Sequence, residues 1–115
     1  MAYVDGFVLA VPAARKDDYV AAAARTWETL FKPMGALSVM ECWGDDVPMG
    51  KLTSFPQAVD LREDEVAVFS WVVWPDKATR DNAHANPPDI EWGDMPFDGA
   101  RLIFGGFVPI YAAQA

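Results

Sequence analysis

Residues Glu65–Trp74 read EVAVFSWVVW. β-Branched and aromatic side chains fill the segment and Pro75 closes it. Both parities are apolar: Ala67, Phe69, Trp71 and Val73 on one, Val66, Val68, Val72 and Trp74 on the other. A strand with one solvated face alternates apolar with polar residues, whereas one that is apolar on both faces must be covered on both. The segment therefore predicts a sheet whose two faces are buried, and the rest of the chain must supply the covers.

Working outward, Tyr3–Val11 alternates as a strand, with Tyr3, Asp5, Phe7, Leu9 and Val11 on one parity, and Pro12 ends it. Tyr19, Ala22, Ala23, Thr26, Trp27, Leu30 and Phe31 then recur at helical spacing. Asp17 and Asp18 stand near the positive end of that helix, and Pro33 with Gly35 stops it. Ala36–Trp43 alternates again and Gly44-Asp45-Asp46 is a turn. Between Val47 and Asp64 the prolines and glycine argue against a long regular element, with a single tight turn expected at Ser54-Phe55-Pro56-Gln57. After Pro75-Asp76 a short helix reaches about Ala85, and a loop anchored by Trp92 and Phe97 follows. A last strand spans Arg101–Tyr111, interrupted by Gly105-Gly106.

The expectation is one domain over residues 1–115, of α+β class and β-α-β-β-α-β order. This is a ferredoxin-like arrangement, a four-stranded antiparallel sheet with two helices on one face. Two helices cannot cover both faces, so a second copy of the chain is expected on the other, making a dimeric αβ barrel. An obligate interface of that kind buries on the order of 2,000 Å² or more. The long passage Asp46–Glu65 is expected to be an ordered arm, with Phe55, Pro56 and Val59 packed down and Arg62–Glu65 wet.

Composition narrows the partners. Apolar residues make up 52% of the chain, which excludes a disordered one, and the formal charge of -8 repels nucleic-acid phosphates and anionic membrane surfaces. No apolar run approaches the ~20 residues needed to span a bilayer. The N-terminal MAYVDGFVLAVP lacks a basic leader, and Cys42 is the single cysteine, so a cytoplasmic location and no disulfide are expected. One histidine and no paired cysteines leave no structural zinc site, and Gly105-Gly106 lacks the context of a dinucleotide-binding turn, so neither metal nor cofactor is expected. Cys42 has no histidine partner in sequence and reads as apolar mass rather than a nucleophile.

The blocks MAYVDGFVLAVP, DDVPMGKLTSFPQAVDLREDEVAVFSW and MPFDGARLIFGGF resemble the YbaA-like bacterial family, a domain of unknown function, over nearly the whole chain. The resemblance implies a ferredoxin-like subunit within the dimeric αβ-barrel proteins. That superfamily includes cofactor-free monooxygenases, isomerases, haem-binding enzymes and members with no known chemistry. It supplies no catalytic residues. The segment Asn82-Ala83-His84-Ala85-Asn86-Pro87-Pro88 departs from the family pattern, and its prolines shorten the second helix.

His84, Asp5 and Glu41 are the candidate proton-transfer groups. His84 is the only side chain whose ordinary pKa lies near neutrality; it serves as a base if it lines a cavity beside Asp81 or Glu91, and is otherwise a surface group at a helix end. Asp5 and Glu41 sit among apolar strand residues, where a carboxylate faces a ligand, pairs with Arg80, Arg101 or a backbone donor, or points out at a sheet edge. Trp43 and Trp74, at strand ends, are candidate pocket-mouth residues, and Lys51 and Ser54 candidate contacts for a polar ligand; Trp27 and Trp71 read as core or interface. The reading is a cytoplasmic protein of unknown function, for which binding of a small hydrophobic molecule at the dimeric barrel is the role to test. The alternatives are a cofactor-independent monooxygenase or isomerase and a purely structural or interaction dimer.

Overall fold

The computed structural model describes residues 1–115 and contains a four-stranded antiparallel sheet. Its strands are β1 (Tyr3–Pro12), β2 (Ser38–Trp43), β3 (Glu65–Trp74) and β4 (Ile103–Phe107), in the order β2-β3-β1-β4. β3 has the bounds its apolar run predicts. It pairs with β1 along its full length, from Tyr3 opposite Trp74 to Pro12 opposite Glu65. β4 takes the other side of β1, with Asp5 opposite Gly106 and Phe7 opposite Phe104, and β2 takes the other side of β3.

Three α-helices connect the strands. α1 (Lys16–Thr26) carries Asp17 and Asp18 in its first turn and continues through a widened turn, Trp27–Phe31. Gly35, at φ 102°, adopts the left-handed conformation that ends it. α2 (Phe55–Ala58) is a single helical turn where the sequence suggested only a tight turn; the Ser54 hydroxyl accepts from Gln57 N at 3.2 Å and Pro56 occupies the first turn, both helix-starting signals. α3 (Lys77–Ala85) is capped by Asp76, whose carboxylate accepts from Thr79 N at 2.7 Å.

Register assigns the two faces. Tyr3, Asp5, Phe7, Leu9 and Val11 share one face with Val68, Ser70, Val72 and Trp74. Tyr19 of α1 packs there against Leu9, Val11 and Val68, and Ala83 of α3 against Tyr3, Val72 and Trp74. Phe7 touches both groups and joins them into one core. The opposite face carries Phe69, Trp71, Met40, Ile103 and Phe107. α2 reaches one end of it, where the Phe55 and Phe69 rings meet edge to face at 5.7 Å. Most of that face stays open: Phe69 is 43% exposed and Phe107 61%.

Two sequence expectations need correction. The last strand begins at Ile103, because Gly99–Arg101 forms a turn of 3-10 helix, and ends at Phe107 rather than Tyr111. Pro109 lacks the N–H that continued pairing requires, and Ile110 and Tyr111 project into solvent. β2 likewise begins at Ser38, although Leu37 N already donates to Val73 O at 2.8 Å. No helix is long and apolar enough to cross a membrane.

Candidate functional site

α3 sets out immediately after β3 and turns back across the helix-side face. Arg80, Ala83 and His84 stand three and four residues apart, the spacing that stacks side chains on one side of a helix. Ala83 is buried against the sheet, and its small side chain lets Arg80 and His84 reach past it to the same strand.

Both reach Asp5, which has no exposed surface. Asp5 Oδ2 accepts from Trp74 Nε1 at 3.0 Å and lies 3.0 Å from His84 Nε2. Arg80 approaches chiefly the other oxygen, with Nε at 3.0 Å and Nη2 at 2.9 Å from Oδ1. Asp5 raises the Arg80 pKa above its ordinary value, and Arg80 also donates to Asp81 at 3.0 Å. The guanidinium lies 5.2 Å from the Tyr3 ring centroid. A buried carboxylate is tolerated only when donors surround it, and here no buried polar side-chain atom lacks a partner. Gly106, opposite Asp5 in the register, keeps space for this cluster: a Cβ there would run into Tyr3 Oη and stand 2.8 Å from Arg80 Nη2.

Beside the cluster is an apolar cavity of about 520 Å³. Phe7 and Phe104 stack on one wall with centroids 6.0 Å apart. Leu30 and Phe31, from the widened turn after α1, supply another; Trp74, Trp92 and Leu102 complete the aromatic and aliphatic lining. His84 is the one ionisable residue on its surface. A smaller pocket of about 110 Å³ shares the walls Phe7, Phe31 and Leu102 and contains Tyr19, Glu41 and Ser70. Tyr19 donates to Glu41 Oε1 at 2.5 Å. Glu41 retains exposed surface, yet desolvation of its carboxyl pushes its pKa up, against the opposing bonds from Tyr19 and Ser70. Desolvation, then the neighbouring Glu41 charge, raises Tyr19.

The candidates from the sequence thus divide. Asp5, His84 and Trp74 come together, with Trp74 a buried wall that bonds Asp5. Glu41 stands on β2, bonded to Tyr19, outside that cluster. The histidine's partner is Asp5, whereas Asp81 bonds Lys77 and Arg80, and Glu91 lines a separate groove along α1. Trp43 lies under the Lys16 ammonium, 5.5 Å from its ring centroid, away from the cavity. Lys51 is exposed, and Ser54 is occupied in capping α2, with its hydroxyl 3.3 Å from Met49 Sδ. Of the remaining cavity residues, Phe104 and Leu102 carried no sequence signal beyond strand alternation.

The architecture defines an α+β protein with an open antiparallel sheet and a buried charged cluster beside an apolar cavity. The chain belongs to the DUF1428 family, proteins of unknown function, whose model matches residues 2–99 and so includes Asp5, Arg80 and His84. It is similar to the uncharacterized protein YbaA of Escherichia coli K12, at 51% identity over 115 residues, covering 96% of this chain and 97% of the relative. The same identity and coverage hold for the YbaA proteins of Escherichia coli O157:H7 and Shigella flexneri.

Proposed function

We propose that this chain binds a small, largely apolar molecule in the cavity beside His84, as a cytoplasmic homodimer of ferredoxin-like subunits. The observation that carries the binding proposal is the cavity itself: about 520 Å³, within the size range of small-molecule sites, with aromatic walls and one polar group to orient a ligand. Its charge-free lining favours an uncharged ligand. Arg80 and Lys77, the nearest cations along α3, are held by Asp5 and Asp81.

The strand order β2-β3-β1-β4, with α1 and α3 on one face, supports the ferredoxin-like assignment. The exposed aromatic groups of the opposite face, followed by the solvated tail with Ile110 and Tyr111, support a second copy of the chain as their cover. A sheet-to-sheet homodimer matches apolar surface with apolar surface over elements both copies possess. The unpaired Cys42 suits a reducing cytoplasm.

Native mass spectrometry of freshly purified protein, followed by denaturation to release anything retained, tests both parts. The expected species is a dimer carrying an apolar small molecule, and Leu30→Trp, which fills the cavity, should release that molecule while preserving the dimer. A wild-type protein that carries nothing, and whose tryptophan fluorescence ignores apolar ketones, would remove the binding assignment.

A further inference from the structure

Resting on that binding proposal, we propose that the site performs proton transfer on carbon: His84 takes a proton from the carbon beside the carbonyl of a bound apolar ketone. Asp5 acts through His84 as a positioning residue. The bond between them is the starting point. Asp5 accepts from Trp74 and Arg80, which have only donors to offer, and it sits 3.0 Å from His84 Nε2. A carboxylate in that setting accepts a third bond, so Nε2 carries the imidazole proton and the lone pair resides on Nδ1. No other group bonds the His84 imidazole, and its side chain is 38% exposed at the cavity wall.

Chemistry on the rest of the wall limits the substrate. Phe7, Phe31, Trp74, Trp92 and Phe104 offer apolar contact and no cation. Phosphorylated or carboxylated compounds would bring an uncompensated charge into that space, whereas a cyclic or aryl ketone would bring one carbonyl and a hydrocarbon body. In the proposed step the C–H bond breaks and its proton passes to His84 Nδ1. The electron pair forms the carbon–carbon double bond of an enolate, and the carbonyl oxygen takes the negative charge. The imidazolium then faces the Asp5 carboxylate. Returning the proton to the same carbon restores the ketone; in a conjugated enone, delivery to the far carbon shifts the double bond. Nothing is oxidised or reduced.

The sole histidine makes the test direct, because nitrogen NMR of isotope-labelled histidine reports His84 alone. The expected signature is a protonated Nε2 and a bare Nδ1, changed by Asp5→Asn. The probe is β-tetralone, an apolar ketone with acidic α-hydrogens. Its binding is read by tryptophan quenching, and its exchange in deuterium oxide by proton NMR. Wild-type protein should accelerate exchange about a hundredfold over buffer, and His84→Gln, which keeps a polar group at a partly exposed position of the wall, should abolish that acceleration while β-tetralone still quenches the tryptophans. Quenching without exchange, or a protonated Nδ1, overturns the proton-transfer inference and leaves ligand binding standing. Absence of both quenching and exchange overturns the two together.

Discussion

Arg101 and Glu65 form a two-pronged ion pair, with Nη1 2.7 Å from Oε1 and Nη2 2.6 Å from Oε2. One residue opens β3 and the other closes the turn before β4. Arg101 Nη1 also donates to Asp60 O at 2.9 Å, so a single guanidinium ties the end of the α2 arm to two strands. The bond from Arg101 holds the Glu65 carboxyl down to about 2. Because this pKa is lower in the folded chain than in the unfolded one, the pair's contribution is complete above the ordinary glutamate value of ~4.3 and disappears as pH falls through about 2. Arg101→Met should lower urea stability at neutral pH and flatten the decline between about pH 5 and pH 2. An unchanged acid limb in that variant would assign the decline to other carboxylates.

Arg80→Met tests the cluster from its structural side. The substitution leaves the Asp5 charge buried with only Trp74 and His84 as donors, and a loss of about 3–5 kcal/mol is expected in chemical denaturation. Arg80→Lys should fall between, since an ammonium replaces a fork of donors with a point charge. Adding Asp5→Asn to Arg80→Met should recover part of the loss, because the uncompensated charge is gone. No recovery in the double variant would mean that Arg80 stabilises by packing on Tyr3 instead.

Two adjacent glycines should respond differently. A methyl group at Gly106 collides with Tyr3 and Arg80, whereas one at Gly105 meets only the Phe107 ring, at 3.5 Å. Gly106→Ala is expected to cost about 1–3 kcal/mol in thermal or urea unfolding, and Gly105→Ala well under half of that. Equal costs would attribute both to backbone freedom and none to crowding around Asp5.

What could be read from the chain follows from how local each signal is. β3 declared its bounds because an apolar run on both parities ends at a proline. The end of β4 was misplaced because Val108, Ile110 and Tyr111 continue the apolar pattern beyond Phe107, while Pro109 ends the pairing. Ser54 and Pro56 were helix-starting residues in plain view, but four residues are too few to give α2 a period. Asp5 and His84 were each suspect on chemical grounds, Asp5 as a charge in an apolar strand and His84 as the only imidazole. Their meeting was not legible, because 79 residues separate them and the crossing of α3 over β1 brings them together. The cavity was equally hidden, since its walls come from the turn after α1, the β3 end, the loop at Trp92 and β4.

The proposed dimer gives a prediction at Phe107, whose ring is 61% exposed in the single chain. Phe107→Glu removes a mostly exposed ring that lies over Gly6 and Gly105 within the subunit, and places a charge in the proposed sheet-to-sheet interface. Sedimentation should find the wild-type protein dimeric at micromolar concentration and the variant monomeric, with the same far-ultraviolet circular dichroism. A monomeric wild-type protein at that concentration would refute sheet-to-sheet pairing.

Glu41 is expected to show that a carboxylate can oppose the fold that holds it. Desolvation raises its pKa, with the Tyr19 and Ser70 bonds only partly offsetting it. A carboxyl whose folded pKa lies above its unfolded value favours folding at low pH, and that advantage disappears as pH rises through the folded pKa. At neutral pH the ionised group is therefore a burden, and Glu41→Gln, which can still accept from Tyr19, should stabilise. Solvent screening at this partly exposed position limits the gain to on the order of half a kcal/mol, about 2–4 °C in midpoint temperature. Tyr19→Phe should do the reverse, because it removes the donor while leaving the carboxylate beside the apolar pocket. Thermal scans of the three proteins at acidic and neutral pH decide the matter: the Glu41→Gln advantage must shrink toward acid, and an advantage that persists there would place its origin in packing.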